Sequence, residues 1–386
     1  MGPHGWSAAS VAASATLGMR DLAADLERYC LLPALSGHED AVIRAFAADL
    51  RPLVDELSVD ALGNVLGTMH GSDPAAPSVM VFAHLDQLGM VVQRITDDGF
   101  VKVARVGGLP ERVLAGQVVH ILRPGEPAIP GVVGTIAHHL TPEQAKYVVP
   151  PIAEVAIDVG ARSAEDARDL GVEVGRPVVY EPRFLPLLHG RVAATSLDDR
   201  GGIAALLSCA QMLSGARPPW TVHIVGTVQE EFTVRGAVVA AEALRPRVAV
   251  CLDVVPATDS PQTVGHSDIR LGGGPVLGTY TFHGRGTLNG LIPDPRLVSL
   301  VTEQAGSLGI AVQRHATVGL LTDTSYVQFT GEGVAAVELG WAVRYTHSPV
   351  ETCQLSDLRE LVTLTSALVR SLPADWPVSR VEVPGP

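Results

Sequence analysis

Basic residues are scarce in this chain. Its 386 residues include 28 Lys and Arg against 41 Asp and Glu, so the formal net charge at pH 7 is -13. No block of Lys or Arg offsets this charge locally, and the phosphates of nucleic acids and of anionic lipids would repel it. We therefore predict neither a nucleic-acid partner nor a membrane partner.

Cysteines and long apolar runs are also sparse. The 4 cysteines are far apart without C-x-x-C spacing, which favours buried thiols in a reducing compartment and does not indicate a catalytic thiol. No run reaches the roughly 18 apolar residues of a membrane span. The first residues lack the basic and apolar segments of a secretory signal. We predict a cytoplasmic protein with a flexible N-terminal extension over residues 1–16.

The periodicity of the apolar residues divides the chain into two kinds of structure. Hydrophobic residues make up 47% of the sequence, enough to fill the cores of two domains. Helical and strand-like segments such as "DDRGGIAALLSCAQML" and "TVHIVGTVQ" alternate on either side of residues 88–188, where short Val-rich and Ile-rich segments are broken by turns. We predict an α/β domain over residues 17–87 and 189–386, interrupted by a β insertion over residues 88–188.

Polar residues stand at or near the ends of apolar runs in the α/β part of the sequence. In an open α/β sheet the carboxyl ends of the strands form the ligand-binding edge, so we expect these side chains to converge. Several carboxylates buried together without counter-charge are costly, and bound divalent cations such as zinc remove that cost. The residues are His84, Asp86, Asp198, Asp199, Glu230, Glu231, Asp253 and His347.

Each of these residues also has a simpler structural interpretation. A lone histidine such as His84 is usually a hydrogen-bonded structural residue, and either Asp198 or Asp199 could cap the following helix, with Asp199 the better candidate. Neighbours on a strand point to opposite faces, so Glu230 and Glu231 can serve one site only if the strand has ended before them. One glutamate could then bind a metal while the other reaches a water molecule.

The polar motifs resemble those of a known family. The segments "AHLDQLGMVV", "SLDDRGGIAALL", "VQEEFTVRGA", "CLDVVPATD", "LTDTSYVQ" and "RYTHSPVE" occur in the order of the M42 family of dinuclear metalloaminopeptidases, which includes glutamyl and tetrahedral aminopeptidases. The similarity runs from about Leu17 to Leu372. It implies a zinc-peptidase-like (phosphorylase/hydrolase-like) three-layer α/β/α catalytic domain with an inserted PDZ-like β-barrel domain for subunit contacts.

The resemblance implies a metal site with two divalent ions per subunit. Asp198 is implied to bridge the ions, with His84 and Asp253 completing one site and Glu231 and His347 the other. Zinc is favoured by this set of ligands, and cobalt and manganese are the alternatives.

The resemblance also implies the catalytic groups. Asp86 is expected to orient the imidazole of His84 from behind. Glu230 is expected to be the general base, which takes a proton from the bridging water as it attacks the peptide carbonyl and passes it to the leaving amine. The two adjacent glutamates then have different tasks, since Glu231 binds metal and Glu230 does not.

The chain departs from the family pattern beside these residues. Gln87 stands where the family usually has Glu, Thr233 and Val234 replace Gly-Leu, and Leu321 replaces Gly. Bulkier residues can narrow a substrate pocket or change a loop that glycine allowed. We expect Thr233, Leu321 and Asp323 to bind substrate, with a structural hydrogen-bonding role as the alternative for Asp323.

Three functions are compatible with these features. The favoured one is an aminopeptidase that acts on peptides with a free N-terminus. The second is a metal-dependent amidase that acts on a small molecule or a dedicated peptide, and the third is a catalytically silent binding or scaffold protein. A scaffold has no need for a free base such as Glu230. We also predict a homo-oligomer that forms dimers through the β insertion, and the resemblance implies a dodecamer as the larger assembly.

Overall fold

The computed structural model describes residues 20–283 and 289–381, so the predicted extension over residues 1–16 lies outside the described residues. Before the insertion the elements are α1 Leu22–Cys30, α2 Asp40–Leu50, β1 Glu56–Val59, β2 Val65–Met69 and β3 Ser78–His84. The central part contains β4 Gly89–Ile95, β5 Val101–Val106, β6 Val118–Arg123, β7 Glu126–Val133, β8 Ile157–Asp158, α3 Ala164–Asp169 and β9 Pro177–Tyr180.

The remaining elements alternate between strands and helices. They are β10 Phe184–Pro186, β11 Arg191–Ala194, α4 Leu197–Gly215, β12 Thr221–Thr227, α5 Gly236–Leu244, β13 Val248–Pro256, β14 Val276–Phe282, α6 Pro295–Leu308, β15 Gln313–Val318, α7 Thr324–Val327, β16 Ala335–Arg344, β17 Glu351–Gln354 and α8 Leu355–Ser371. Short 3-10 turns occur at Arg51–Leu53, Glu111–Val113, His138–Leu140, Glu143–Ala145, Ile152–Glu154 and Leu188–Gly190.

A mixed sheet of 11 described strands forms the centre of the α/β domain, in the order β1-β2-β12-β3-β13-β16-β17-β11-β10, with β14 pairing to β16 and β15 to β14. Its middle strands β12, β3, β13 and β16 are parallel neighbours. Strands covered on both faces are continuously apolar, which explains runs such as Val79–Phe82. The parallel centre brings the carboxyl ends of these strands to one edge of the sheet.

Helices cover both faces of the sheet. Val79 and Val81 of β3 pack in a core with α1, α4 and α8. Met80 and Phe82 face the other way, toward α5 and α7. This alternation follows from the period of two residues in a strand, and it confirms the predicted three-layer α/β/α arrangement. Helix α4 is buried along nearly its whole length, which is typical of a helix that is apolar on every side.

The insertion forms a closed barrel with the strand order β4-β5-β8-β7-β6-β9. Its pairings are antiparallel, and it has its own apolar core around residues such as Met90, Val103 and Ile121. The predicted inserted β-barrel is therefore confirmed. The short helix α3 was not predicted, and β10 pairs with β11 in the large sheet rather than in the barrel.

Near the C-terminal end of the described residues, the segment "LSDLRELVTLTSALVRS" forms α8. The unit formed by β14, α6 and β15 was not predicted, because no distinct motif marks it. Among the described residues, no helix is long and apolar enough to cross a membrane.

Candidate metal centre

Two neighbouring strands bring the first candidate residues together. Strand β3 ends at His84, which pairs in register with Thr227, the last residue of β12. Glu230 and Glu231 follow after β12 has ended, and Gln229 turns the chain there with a φ of 60°. This confirms the expectation that the adjacent glutamates lie beyond their strand, where both can reach the same site.

The next strand contributes Asp253 from within its length rather than from its end. Phe82 of β3 pairs with Cys251 of β13, so His84 and Asp253 both lie two residues beyond this pair. Asp253 is buried, with 5% of its surface exposed. The parallel register therefore sets this carboxylate beside the imidazole.

The start of α4 supplies two more carboxylates. Asp198 and Asp199 have non-helical backbone angles and are joined by a cis peptide bond. Asp199 accepts a hydrogen bond from the backbone N–H of Gly202 at 3.1 Å, a contact of the kind expected from the capping alternative. Its other carboxylate oxygen accepts from the backbone N–H of His84 at 3.0 Å.

His347 reaches the site from the turn between β16 and β17. Its φ is 64°, a conformation that few non-glycine residues adopt. Its backbone N–H donates to Glu351 Oε1 at 2.6 Å. Its side chain is partly exposed, at 35%.

The potential ligand atoms form two clusters, each within 4.8 Å: an inner cluster of His84, Asp199 and Asp253, and an outer cluster of Asp198, Glu231 and His347. Asp198 faces both, because its Oδ1 lies 3.0 Å from His84 Nε2 and its Oδ2 lies 3.4 Å from His347 Nε2. A carboxylate with one oxygen toward each imidazole has the geometry needed to bridge two cations.

The donor chemistry fits divalent cations. Imidazole nitrogens and carboxylate oxygens are ligands that zinc and its neighbours accept. Glu231 Oε1 is buried without a hydrogen-bond partner among the described residues, and it lies 3.8 Å from His347 Nε2. A buried carboxylate oxygen of this kind is costly unless a cation satisfies it.

The pKa values of the carboxyl groups also reflect the cost of burying their charges. Burial raises the pKa of Glu231 to about 7, and burial together with neighbouring carboxylates holds the pKa of Asp253 well above its usual range. Burial also opposes the charge on Asp198, but hydrogen bonds from His347 and His84 outweigh it and lower the pKa of Asp198. The imidazoles thus act as cations for Asp198, whereas the charges of His347 and His84 do not outweigh the effect of burial on the pKa values of Glu231 and Asp253.

One fixed positive charge lies behind the site, and sequence analysis missed it. The Arg200 side chain is fully buried at 0% exposure. Its guanidinium donates to the backbone carbonyls of Leu85 and Leu32, and Gln87 Oε1 lies at 3.4 Å. One guanidinium cannot balance the four carboxylates of the two clusters, so this residue does not replace bound cations.

Asp86 contacts more of the site than was predicted. Its Oδ1 lies 3.4 Å from His84 Nδ1, as expected for an orienting carboxylate. Its two oxygens also accept from the backbone N–H groups of Glu230 and Glu231, each at 3.0 Å. Asp86 therefore fixes one histidine and the turn that carries both glutamates.

Glu351 is a second residue that sequence analysis missed. It is 2% exposed, and its Oε2 accepts from the backbone N–H of Asp198 at 3.0 Å while its Oε1 accepts from that of His347. Burial and the charge of Asp198 raise the pKa of Glu351 to about 8. The glutamate closes the motif "RYTHSPVE", so its proximity to His347 in the sequence was the available clue.

Comparison with known proteins identifies the family of this chain. The model of the family described as M42 glutamyl aminopeptidase matches residues 63–364. The chain belongs to the M42 family. The lysyl aminopeptidase of Pyrococcus furiosus is 35% identical over 350 residues, covering 89% of this chain and 96% of that protein.

Solved structures agree with this family assignment. The aminopeptidase APDkam598 of Desulfurococcus kamchatkensis has a TM-score of 0.85 and 33% identity, covering 91% of this chain and 95% of that one. The TET1 peptidase of Pyrococcus horikoshii, described as assembling into a tetrahedron or a large octahedral shell, has a TM-score of 0.79 and 29% identity, covering 91% and 100%.

The M42 site opens into a cavity of about 470 Å³. Thr233 and Leu321 line it, together with Phe232 and Val234. Thr233 has a φ of 133°, in the region that glycine occupies more readily than threonine. Both residues for which the resemblance implies a replaced glycine therefore line the cavity.

The structure places Asp323 differently. It is 1% exposed and is not among the residues that line the cavity. Its Oδ2 accepts a hydrogen bond from Thr227 Oγ1 at 2.8 Å. This is the contact expected under the alternative of a structural partner. Gln87, the other departure from the family pattern that the resemblance implied, accepts a hydrogen bond from the backbone N–H of Ala34 at 2.9 Å.

Proposed function

We propose that this protein is a dinuclear, metal-dependent aminopeptidase that removes N-terminal residues from peptides. The position of Asp198 between His84 and His347 supports this proposal most directly, because one carboxylate oxygen faces each imidazole. Membership of the M42 family supports the reaction class. We propose five members of the two clusters as ligands: Asp198 is shared by both ions, His84 and Asp253 bind one ion, and Glu231 and His347 bind the other. Asp199 is not proposed as a ligand, because its two oxygens accept from the backbone N–H groups of Gly202 and His84.

Two divalent cations held there would polarise the peptide carbonyl and lower the pKa of a water molecule. Glu230 is the proposed general base, since it lies next to Glu231 but outside both clusters. Its backbone N–H is held by Asp86, and burial raises the pKa of Glu230 well above its usual range. A carboxylate with a raised pKa can take a proton from the attacking water and return it to the leaving amine.

We propose zinc as the resident metal, with cobalt and manganese as alternatives. Metal analysis of purified protein should give about two ions per chain. Chelation should abolish hydrolysis, and the three ions should restore it to different degrees. A fully active preparation without metal would contradict the proposal.

The substrate is proposed to be a peptide with a free α-amine and a small or apolar first residue. Apart from the proposed ligands and base, no acidic residue is among those described as lining the cavity, and its wall includes the uncharged residues Thr233, Val234, Leu320, Leu321 and Thr322. A pocket that selects lysine needs an acidic group to pair with it. The lysyl specificity named for the Pyrococcus furiosus relative is therefore not proposed for this chain.

A substrate panel separates this proposal from the amidase alternative. We expect kcat/KM to be higher for Leu- and Ala-nitroanilides than for the Lys and Glu compounds, and N-acetyl-Leu-nitroanilide should resist cleavage. Cleavage of the blocked compound would favour the amidase, whereas absence of any hydrolysis with both ions bound would favour the silent scaffold.

We propose that the protein forms a homo-oligomer through the barrel insertion, residues 88–188. Exposed apolar side chains in its long loop support this role: Ile136, Leu140, Tyr147 and Val148 are 65%, 78%, 92% and 65% exposed. The TET1 relative assembles into larger particles, and a dodecamer is the proposed larger assembly here. Light scattering should show more than monomer at micromolar concentration, and Tyr147→Ser should weaken the assembly.

A further inference from the structure

The barrel insertion touches the metal centre through one turn. Strand β5 ends at Val106, and Gly107 and Gly108 follow it and line the cavity. The two glycines approach different ligands of the outer cluster. Gly107 faces Glu231, and Gly108 faces His347.

A hydrogen bond from this turn determines which nitrogen of His347 can bind a cation. His347 Nδ1 lies 3.1 Å from the carbonyl oxygen of Gly108. A carbonyl can accept but cannot donate, so Nδ1 must carry the proton. The lone pair of the neutral ring is then on Nε2, the atom that faces Asp198 Oδ2 at 3.4 Å and Glu231 Oε1 at 3.8 Å.

The turn also lies too close to the outer cluster for a side chain at either glycine. A Cβ on Gly108 would lie 2.8 Å from His347 Nδ1. A Cβ on Gly107 would lie 3.0 Å from Leu88 Cβ and 3.2 Å from Glu231 Oε2. Gly107 has in addition a φ of +82°, which disfavours other residues. The inner cluster has its orienting contact within the catalytic domain, since His84 Nδ1 lies 3.2 Å from the backbone oxygen of Asp86.

We propose that the Gly107–Gly108 turn is a positioning element for the outer cluster, through which the barrel controls the occupancy of one metal position and leaves the other unaffected. This inference rests on the proposed dinuclear function. An orienting contact beyond the ligands typically changes metal affinity by about 10- to 100-fold. A domain expected to make subunit contacts would thereby have a second role in completing the site.

The test compares Gly108→Ala with Gly134→Ala in the full chain. Neither glycine has a positive φ, but a Cβ on Gly134 meets only Ala156 O, at an ordinary 3.4 Å. Cobalt binding is measured by titration and by the absorption of the bound ions, with light scattering as a check on assembly. Gly108→Ala should keep one tight ion and bind the second about 10- to 100-fold more weakly, while Gly134→Ala should resemble wild type.

A second pair covers the case in which Gly108→Ala does not fold. Gly107→Ala and Gly116→Ala introduce the same backbone strain, at φ values of +82° and +78°, but no atom lies within 4 Å of a Cβ on Gly116. Selective loss of the second ion in Gly107→Ala supports the proposal. Equal behaviour within both pairs, or loss of both ions together, would overturn it. Wild-type protein that binds only one ion would instead overturn the dinuclear site itself.

Discussion

The inner and outer clusters of the metal centre differ in how the fold holds them. The inner residues His84, Asp199 and Asp253 come from the end of β3, the start of α4 and the middle of β13, and all are buried. In the outer cluster, Glu231 and His347 come from turns, His347 is 35% exposed, and the barrel contacts both residues.

This difference shows that strands and turns fix the positions of ligand side chains in different ways within one site. Strands fix a side chain through the register of many backbone hydrogen bonds, whereas a turn requires separate contacts. Here those contacts are Asp86 on the backbone of Glu230 and Glu231, and Glu351 on that of His347. We expect the inner ion to be the more tightly held, and the predictions below test this contrast.

The largest effect should come from Glu230→Gln. Removing the base should lower kcat by about 10²- to 10⁴-fold, because glutamine cannot accept the proton. Both ions should remain bound, since Glu230 belongs to neither cluster. Single-turnover kinetics and metal analysis measure the two properties, with exposed Glu303→Gln on α6 as the control. Loss of metal from Glu230→Gln would show that the two glutamates share one role.

The next largest effect is a loss of metal affinity, and two variants test it separately for each cluster. Asp253→Asn should release the inner ion, and Glu231→Gln should release the outer ion, because each removes a carboxylate charge from one cluster. Each loss should exceed the roughly 100-fold upper range for residues beyond the ligands. Calorimetric titration of the chelated proteins with zinc measures it. Identical stoichiometry and affinity in the two variants would remove the distinction between the clusters.

Glu351→Gln should produce an intermediate effect that is largest at the outer position, where Glu351 contacts the backbone of both Asp198 and His347. One amide oxygen cannot replace two carboxylate oxygens that accept from Asp198 and His347. We expect about 10- to 100-fold weaker binding of the outer ion. Rescue in Glu351→Asp at raised metal concentration would support a positioning role. Unchanged metal affinity would mean that Glu351 has a merely structural function.

The metal-free protein should lose stability as pH rises. In the folded chain, burial raises the pKa of Glu231 to about 7 and that of Glu351 to about 8, against an ordinary value of 4.5. A pKa raised on folding gives stability that is present below the unfolded value and lost as pH passes the folded value. The pKa values of His84 and His347 are raised by their carboxylate partners against the effect of burial, so their contribution has the same sign.

Thermal unfolding of chelated protein from about pH 5 to pH 8 tests this linkage. The melting temperature should fall across that interval. Bound cations favour the deprotonated ligands, so the stabilisation by added zinc should grow with pH. At a free zinc concentration of about 100 times its dissociation constant, it should reach about 2.7 kcal/mol per site. A melting temperature that rises with pH in the chelated protein would contradict the assigned protonation states.

The smallest effect is expected from the cavity wall. Thr233→Gly should relieve backbone strain at a φ of 133° and enlarge the space beside the outer cluster. Bulky first residues should then gain about tenfold in kcat/KM relative to alanine, as expected for a change of about one methylene group in a pocket. Thr317→Gly on β15 makes the same change outside the cavity and serves as the control. An unchanged ratio of Leu to Ala activity would place the selective wall elsewhere.

The sequence by itself determined the residue types and their order along the chain. Apolar runs that end in His84, or shortly before Glu230 and Glu231, indicated both the parallel sheet and its ligand-binding edge. The α/β layers and the barrel followed from two different periodicities, and the motifs were sufficient for the M42 resemblance. These features are local, because a strand period or a short motif depends on neighbouring residues.

Only the tertiary structure decided which groups support those residues. Arg200, Glu351 and Gly108 contact the site across long stretches of chain, as in the bond between Gly108 and His347, which are 239 residues apart. Asp323 lies in the motif "LTDTSYVQ" and was expected to bind substrate. Its hydrogen bond with Thr227 places it behind the cavity instead. Burial and the direction of a hydrogen bond depend on how distant elements pack, so no periodicity along the chain contains them.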